Sequence, residues 1–152
     1  MNESRVLLES YLLCLLLPVT FFTLPSWFVV GNGPIFREGV IDYSMGLTAI
    51  IFAPILETIF IFAPILEVCR VLKARSLWVV LCFAFFFEII HVQRDFWGHL
   101  LMYPTMISMT MVYLAMRKKS FLHALLFTAV VHEVYNFSVL MGSAYTYDRF
   151  FY

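Results

Sequence analysis

Five apolar stretches, at about residues 7–30, 44–69, 76–93, 98–116 and 120–141, take up most of this chain, and short polar or glycine-containing joints separate them. An α-helix rises 1.5 Å per residue, so crossing a hydrocarbon core of about 30 Å takes roughly 20 apolar residues. Each stretch meets or approaches that length. Of 152 residues 62% are hydrophobic and only 13% are charged, which leaves too little polar surface to cover a water-soluble domain. The expected fold is all-α, a multi-span transmembrane bundle of about five helices, with residues 1–152 forming a single integral membrane domain.

Charge narrows the partners and the orientation. Lys plus Arg and Asp plus Glu number ten each, so no basic excess is available to attract nucleic acid, and membrane lipids are the expected surroundings. Cys14, Cys69 and Cys82 lie in apolar runs with no CxxC pair, which argues for packing roles against a disulfide framework or a thiolate metal site. If five spans alternate, Arg5, Arg70, Lys73, Arg75, Arg117, Lys118 and Lys119 fall on one side, leaving Arg37, Arg94 and Arg149 on the other. The positive-inside rule makes the richer side cytoplasmic, with the N-terminus there. Such a short five-span chain suits a bacterial inner membrane. The aromatic tail GSAYTYDRFFY is expected as a segment lying at the outer surface, and the joint 31–44, with Gly31, Gly33 and Pro34, at an interface.

Polar residues inside the spans carry the functional information. The stretch IFAPILETIFIFAPILEVCR (51–70) writes IFAPILE twice, ten residues apart, and so puts Glu57 and Glu67 in an apolar helix. An ionisable group at mid-bilayer costs several kcal/mol unless it is paired or hydrated, which makes it a functional-site candidate by default. Counting from the cytoplasmic helix ends, Glu57 and His132 each lie about 18 Å in and His91 about 22 Å in, so three ionisable groups on three helices share one level. His132 and Asn136, four apart, project from one face, as do Glu88 and His91, three apart. A small hydrated pocket is the expected consequence. Pro54 and Pro64 each remove one intrahelical hydrogen bond and are expected to kink the helix on either side of Glu57, leaving the carbonyls of Ile50 and Phe60 to side chains or water. Glu67 falls near the cytoplasmic end, paired with Arg70 one turn on. The methionine-rich run 102–116 reads as lipid-facing or gap-filling packing, or as the wall of an adaptable groove. Glu88 and Glu133 are expected as supporting or helix-pairing groups, and His99 and His123 near water or headgroups.

The segments APILE (53–57), FEIIH (87–91, an FxxxH pattern) and HEVYN (132–136, HxxxN), in that order on successive motif helices, resemble the CPBP or Abi family of intramembrane peptidases. That family includes type II CAAX prenyl endopeptidases and bacteriocin-processing or immunity proteins. The likeness spans residues 50–140. It implies a glutamate-dependent intramembrane peptidase, a hydrolase acting on a peptide bond of a membrane-embedded or lipidated substrate. In that scheme Glu57 and His91 activate water while His132 and Asn136 stabilise the oxyanion, and no cofactor is required. The chemistry is sound, because a carboxylate can take a proton from water, and donors to a developing oxyanion are worth most where bulk water is excluded. His91, His132 and Glu57 would equally make a three-ligand zinc site with an open position, and the spacing does not separate the two accounts.

The first motif departs from the family pattern, EExxxR. Glu57 is followed by Thr58, and Phe62 stands in the arginine's place. Glu57 precedes His91 by 34 residues, close to the family's spacing, whereas Glu67 precedes it by 24, so Glu57 is the expected base. The missing glutamate and arginine point to an alternative, a catalytically inactive relative acting in binding or bacteriocin immunity. A chain shorter than such relatives would be completed by a homo-oligomer or a partner membrane protein. An ion or proton pathway ranks last, for want of repeated discontinuous helices.

Overall fold

The computed structural model describes residues 3–22, 36–37, 40–41, 47–90 and 96–151, with side-chain surroundings for most of those outside the two ends. These residues are helical apart from the turns at 72–75 and 118–120 and one short antiparallel bridge, in which Phe36 pairs with Ile41 and Arg37 with Val40. The helices are α1 (Glu3–Phe22), α2 (residues 48–71), α3 (Ser76–Ile90), α4 (Phe96–Arg117) and α5 (Phe121–Phe151). Each falls on one of the five apolar stretches. By length and composition, Ile50–Val71 is the one helix among the described residues able to cross a membrane; Ser76–Ile90 is apolar but has only 15 residues. α5 continues through the aromatic tail to Phe151. No proline interrupts the run, and the helix passes through Gly142.

The doubled heptapeptide repeats a backbone shape. Within α2, π-helical turns at Thr48–Phe52 and Thr58–Phe62 alternate with α-helical segments at Ala53–Glu57 and Ala63–Val71. Pro54 and Pro64 each stand in the first turn of an α segment. Just ahead of each proline the ladder widens: Ala53 N–H donates to Thr48 O and Ala63 N–H to Thr58 O, five residues back in both cases. A proline lacks its own N–H, and its ring crowds the carbonyl four residues earlier. The expected kinks are thus taken up as two wide turns, a usual way for a helix to absorb a local interruption.

The joints at one end are tight and chemically specified. At the end of α2, Lys73 N–H donates to Arg70 O and Ala74 N–H to Cys69 O, the two bonds of a Schellman cap, with Lys73 left-handed at φ 53°. At the start of α5, Ser120 Oγ accepts from His123 N–H at 3.1 Å, a serine N-cap, and also lies 2.8 Å from His123 Nδ1. Residues 72–75 and 118–120 therefore turn the chain sharply, and α2 with α3 and α4 with α5 lie antiparallel, as these short joints predicted. Phe62 of α2 meets Phe83 of α3 edge-to-face, with centroids 4.7 Å apart.

α4 is the central helix. It packs against α1, α3 and α5, and α5 in turn packs against α1 and α2. Met102, Met106, Met109 and Met116 are buried, together with Val112, Tyr113 and Ala115. Of the two packing readings of this run, the methionines thus take the gap-filling one, inside the core, and not the lipid-facing one. Flexible thioethers pack among small hydroxyl residues here: Thr105, Ser108 and Thr110 are also buried, and Thr110 Oγ1 donates to Met106 O at 2.8 Å. By contrast, α1, α2, α3 and α5 carry large apolar side chains on their outer faces, among them Leu8, Phe52, Phe60, Trp78, Phe85 and Leu126.

Candidate functional site

Two polar contacts fix how α2 sits in the bundle. Glu57 on α2 lies beside His132 on α5, with Oε2 3.8 Å from Nε2. Ten residues further along α2, Glu67 meets Arg117, the last residue of α4, at 2.6 Å. Moving along α2 therefore leads from the middle of α5 toward the turn from which α5 starts. α2 and α5 run antiparallel, and Glu57 and His132 fall at the common depth that helix counting predicted for them.

The Glu57–His132 contact is asymmetric. The His132 side chain is 4% exposed and that of Glu57 28% exposed, so the imidazole lies inside the bundle and the carboxylate at its wall. A separation of 3.8 Å is too long for a hydrogen bond and falls within ion-pair range when the ring is protonated. It also leaves room for a bridging oxygen. Two atoms that far apart can both lie about 2.8 Å from one oxygen placed to the side, so a single water could touch carboxylate and imidazole together. Asn136, one turn beyond His132, is half-buried on the same helix face.

Two hydroxyls flank the pair. Thr58 follows Glu57, and Thr128 stands one turn before His132 on the same face of α5. Both are buried, and among the described residues Thr58 Oγ1 and Thr128 Oγ1 find no hydrogen-bond partner. Sequence reasoning marked Thr58 only as a departure from the motif and passed over Thr128, because a threonine in an apolar helix is unremarkable until its burial is known. The signal was present only in the spacing 128, 132, 136.

The remaining candidates are distributed elsewhere. His91 and His99 belong to stretches whose side chains lie outside the described ones, so the expected neighbourhood of His91 with Glu57 is not placed. Among the described residues no three His, Cys, Asp or Glu side chains group as a metal site; Glu57 and His132 supply two of the three ligands a zinc centre would need. Glu88 is buried on α3. Glu133 is half-buried and lines a cavity of about 410 Å³ with Tyr11, Leu12, Ile50, Val134 and Phe137. That cavity opens between α1, α2 and α5 and is almost wholly apolar; neither Glu57 nor His132 lines it. His123 is exposed, as expected. The cysteines are free, with Cys14 buried, Cys69 half-buried and Cys82 exposed.

Glu67 has a different role from Glu57. Its Oε1 accepts from Arg117 Nε at 2.6 Å and Tyr113 Oη at 3.0 Å, and its Oε2 from Arg70 Nε at 2.8 Å and Arg117 Nη2 at 3.2 Å. The expected pairing with Arg70 is present, and α4 adds a bidentate arginine and a buried phenol. Tyr113 and Arg117 are four apart and share a face, which is the pattern that could have signalled them. The cluster ties α2 to α4 with every carboxylate bond charge-assisted.

At Phe62, where the resembled family carries arginine, the side chain is fully buried. It packs against Phe83, Phe87 and Tyr113, with centroids 4.7, 5.3 and 6.1 Å away. No family model, curated protein or solved structure matches the chain.

Proposed function

We propose that this chain is a membrane-embedded hydrolase in which Glu57, set beside His132, activates water against a peptide bond of a membrane-embedded or lipidated substrate. The observation that carries this is the approach of Glu57 Oε2 to His132 Nε2 at 3.8 Å, between two helices distant in sequence. Membrane residence is supported by the outward-facing apolar side chains of four helices around a semi-polar central α4, since water would not tolerate Phe52, Phe60, Trp78 and Phe85 displayed together. The peptidase class is supported by the resemblance of APILE, FEIIH and HEVYN to the CPBP or Abi pattern. In this scheme Glu57 takes the proton of the attacking water, and Asn136 with His132 donates to the carbonyl oxygen as charge develops on it. His91 would assist the base. The orientation, with N-terminus and basic turns cytoplasmic, follows from the positive-inside rule.

A second reading has its own observation. Phe62 fills the arginine position with a buried ring inside an aromatic cluster, and Thr58 replaces the second glutamate, so two of the three residues that define the family's first motif have become core. A bundle of this kind could keep the fold and act in binding or bacteriocin immunity. One experiment separates the two: the purified protein in lipid vesicles is exposed to a tethered peptide library and cleavage is read by mass spectrometry. The hydrolase reading expects cleavage that Glu57→Gln and His132→Ala abolish and Glu67→Gln retains. Absence of any cleavage by the wild type would favour the binding protein.

A further inference from the structure

We propose that the end of the bundle formed by the turns 72–75 and 118–120 is a binding surface for the headgroups of anionic phospholipids. The proposal rests on membrane residence and is independent of the hydrolase chemistry. The Glu67–Arg117 ion pair holds the ends of α2 and α4 together, which brings the two turns to one level. Residues 67–78 and 113–123 contain Arg70, Lys73, Arg75, Arg117, Lys118 and Lys119 against a single acid, Glu67. That acid is already saturated by four hydrogen bonds, so it neutralises little beyond Arg117 and Arg70. Lys73, Arg75, Lys118 and Lys119 are exposed.

The side chains around these cations identify the occupant. Leu72 is 73% exposed, Leu77 65%, Trp78 59% and Leu122 61%, all within a few residues of the exposed lysines and Arg75. Arg117 also lies over the Phe121 ring, 5.6 Å from its centroid. Cations interleaved with exposed aliphatic and aromatic side chains match an amphiphile, whose phosphate meets the charges while its chains cover the apolar rim. An acidic polypeptide or a free anion would leave that rim in water. Lys73 adds an independent sign. Its left-handed φ of 53° is the position of a Schellman cap where glycine is the unstrained choice, so the charge sits there at a conformational cost.

The test uses full-length protein in vesicles of phosphatidylcholine alone or with phosphatidylglycerol, reading the relative association of spin-labelled phosphatidylglycerol over spin-labelled phosphatidylcholine. Wild type is expected to prefer the anionic lipid severalfold, and combined Lys73→Gln, Arg75→Gln, Lys118→Gln and Lys119→Gln to bring the ratio close to one. The milder pair Lys118→Gln and Lys119→Gln should fall between. Lys73→Gly should lower the ratio while raising the thermal midpoint in pure phosphatidylcholine, because strain is relieved as charge is lost. A ratio near one for wild type, an unchanged ratio in the fourfold variant, or displacement of the labelled lipid by inorganic phosphate or polyglutamate at low concentration would each overturn the proposal. A protein that stays outside the vesicles would overturn it together with membrane residence, whereas loss of peptide cleavage would leave it untouched.

Discussion

Replacing Glu67 by glutamine tests whether the α2–α4 contact is structural and separate from the Glu57 site. Glutamine keeps the shape and one acceptor oxygen, which Arg117 Nε and Tyr113 Oη can still use. Its amide nitrogen, however, faces Arg70 Nε and Arg117 Nη2, so two accepting contacts become donor–donor conflicts and the charge is lost. A hydrogen bond to a charged group contributes about 1.5–3 kcal/mol, and an exposed pair such as Arg70–Glu67 adds only about 0.5. With the Glu67 side chain 22% exposed and that of Arg117 25%, the expected loss is about 2 kcal/mol. Tyr113→Phe should cost about 1 kcal/mol, since the phenol is buried and loses one charge-assisted bond. The double variant should cost less than the two single losses combined, because the groups share one oxygen. Equilibrium denaturation in mixed micelles measures all three. A Glu67→Gln protein as stable as wild type, or strictly additive losses, would refute the reasoning.

Other substitutions probe different parts of the account. Phe62→Ala should destabilise by about 3–4 kcal/mol by opening a cavity among Phe83, Phe87 and Tyr113, and a change below about 1 kcal/mol in the same denaturation assay would contradict the packing described. Thr128→Val should raise stability by about 1 kcal/mol, because it removes a buried hydroxyl that makes no hydrogen bond; a fall would mean that the hydroxyl is satisfied by water at the site. Pro54→Ala removes the reason for the wide turn at Thr48–Phe52, and closing that turn by one residue would rotate Glu57 by about 100°. Peptide cleavage should then fall while thermal stability rises, and cleavage at the wild-type rate would count against the role given to the turn.

Much of this architecture could be read from the chain because apolar length and short joints are local properties. The five helices follow the five apolar stretches, and the antiparallel pairs α2–α3 and α4–α5 follow from joints too short for anything else. The common depth of Glu57 and His132 came from helix counting alone, which works when two helices start or end at the same side. What stayed hidden was relational. Nothing in the periodicity of 102–116 says that α4 is surrounded, because apolar residues recur on every face of that run. The partners of Glu67 on α4 needed the neighbour relation of two helices separated by α3. The doubled IFAPILE was visible as a repeat, yet its meaning was not. It encodes two proline-led wide turns, while its two glutamates serve different contacts, one with His132 and one with Arg117. Thr58 and Thr128 became interesting only once their burial was known.

The account's central claim is that Glu57 on α2 meets His132 on α5, and it is open to direct measurement by solid-state NMR on protein in lipid bilayers. With glutamate labelled at the carboxyl carbon and histidine at the ring nitrogens, rotational-echo double resonance should show the Glu57 carboxyl dephased by His132 as expected for contact near 3.8 Å, an effect lost in His132→Ala. A Glu57 signal no more dephased in wild type than in His132→Ala would contradict it.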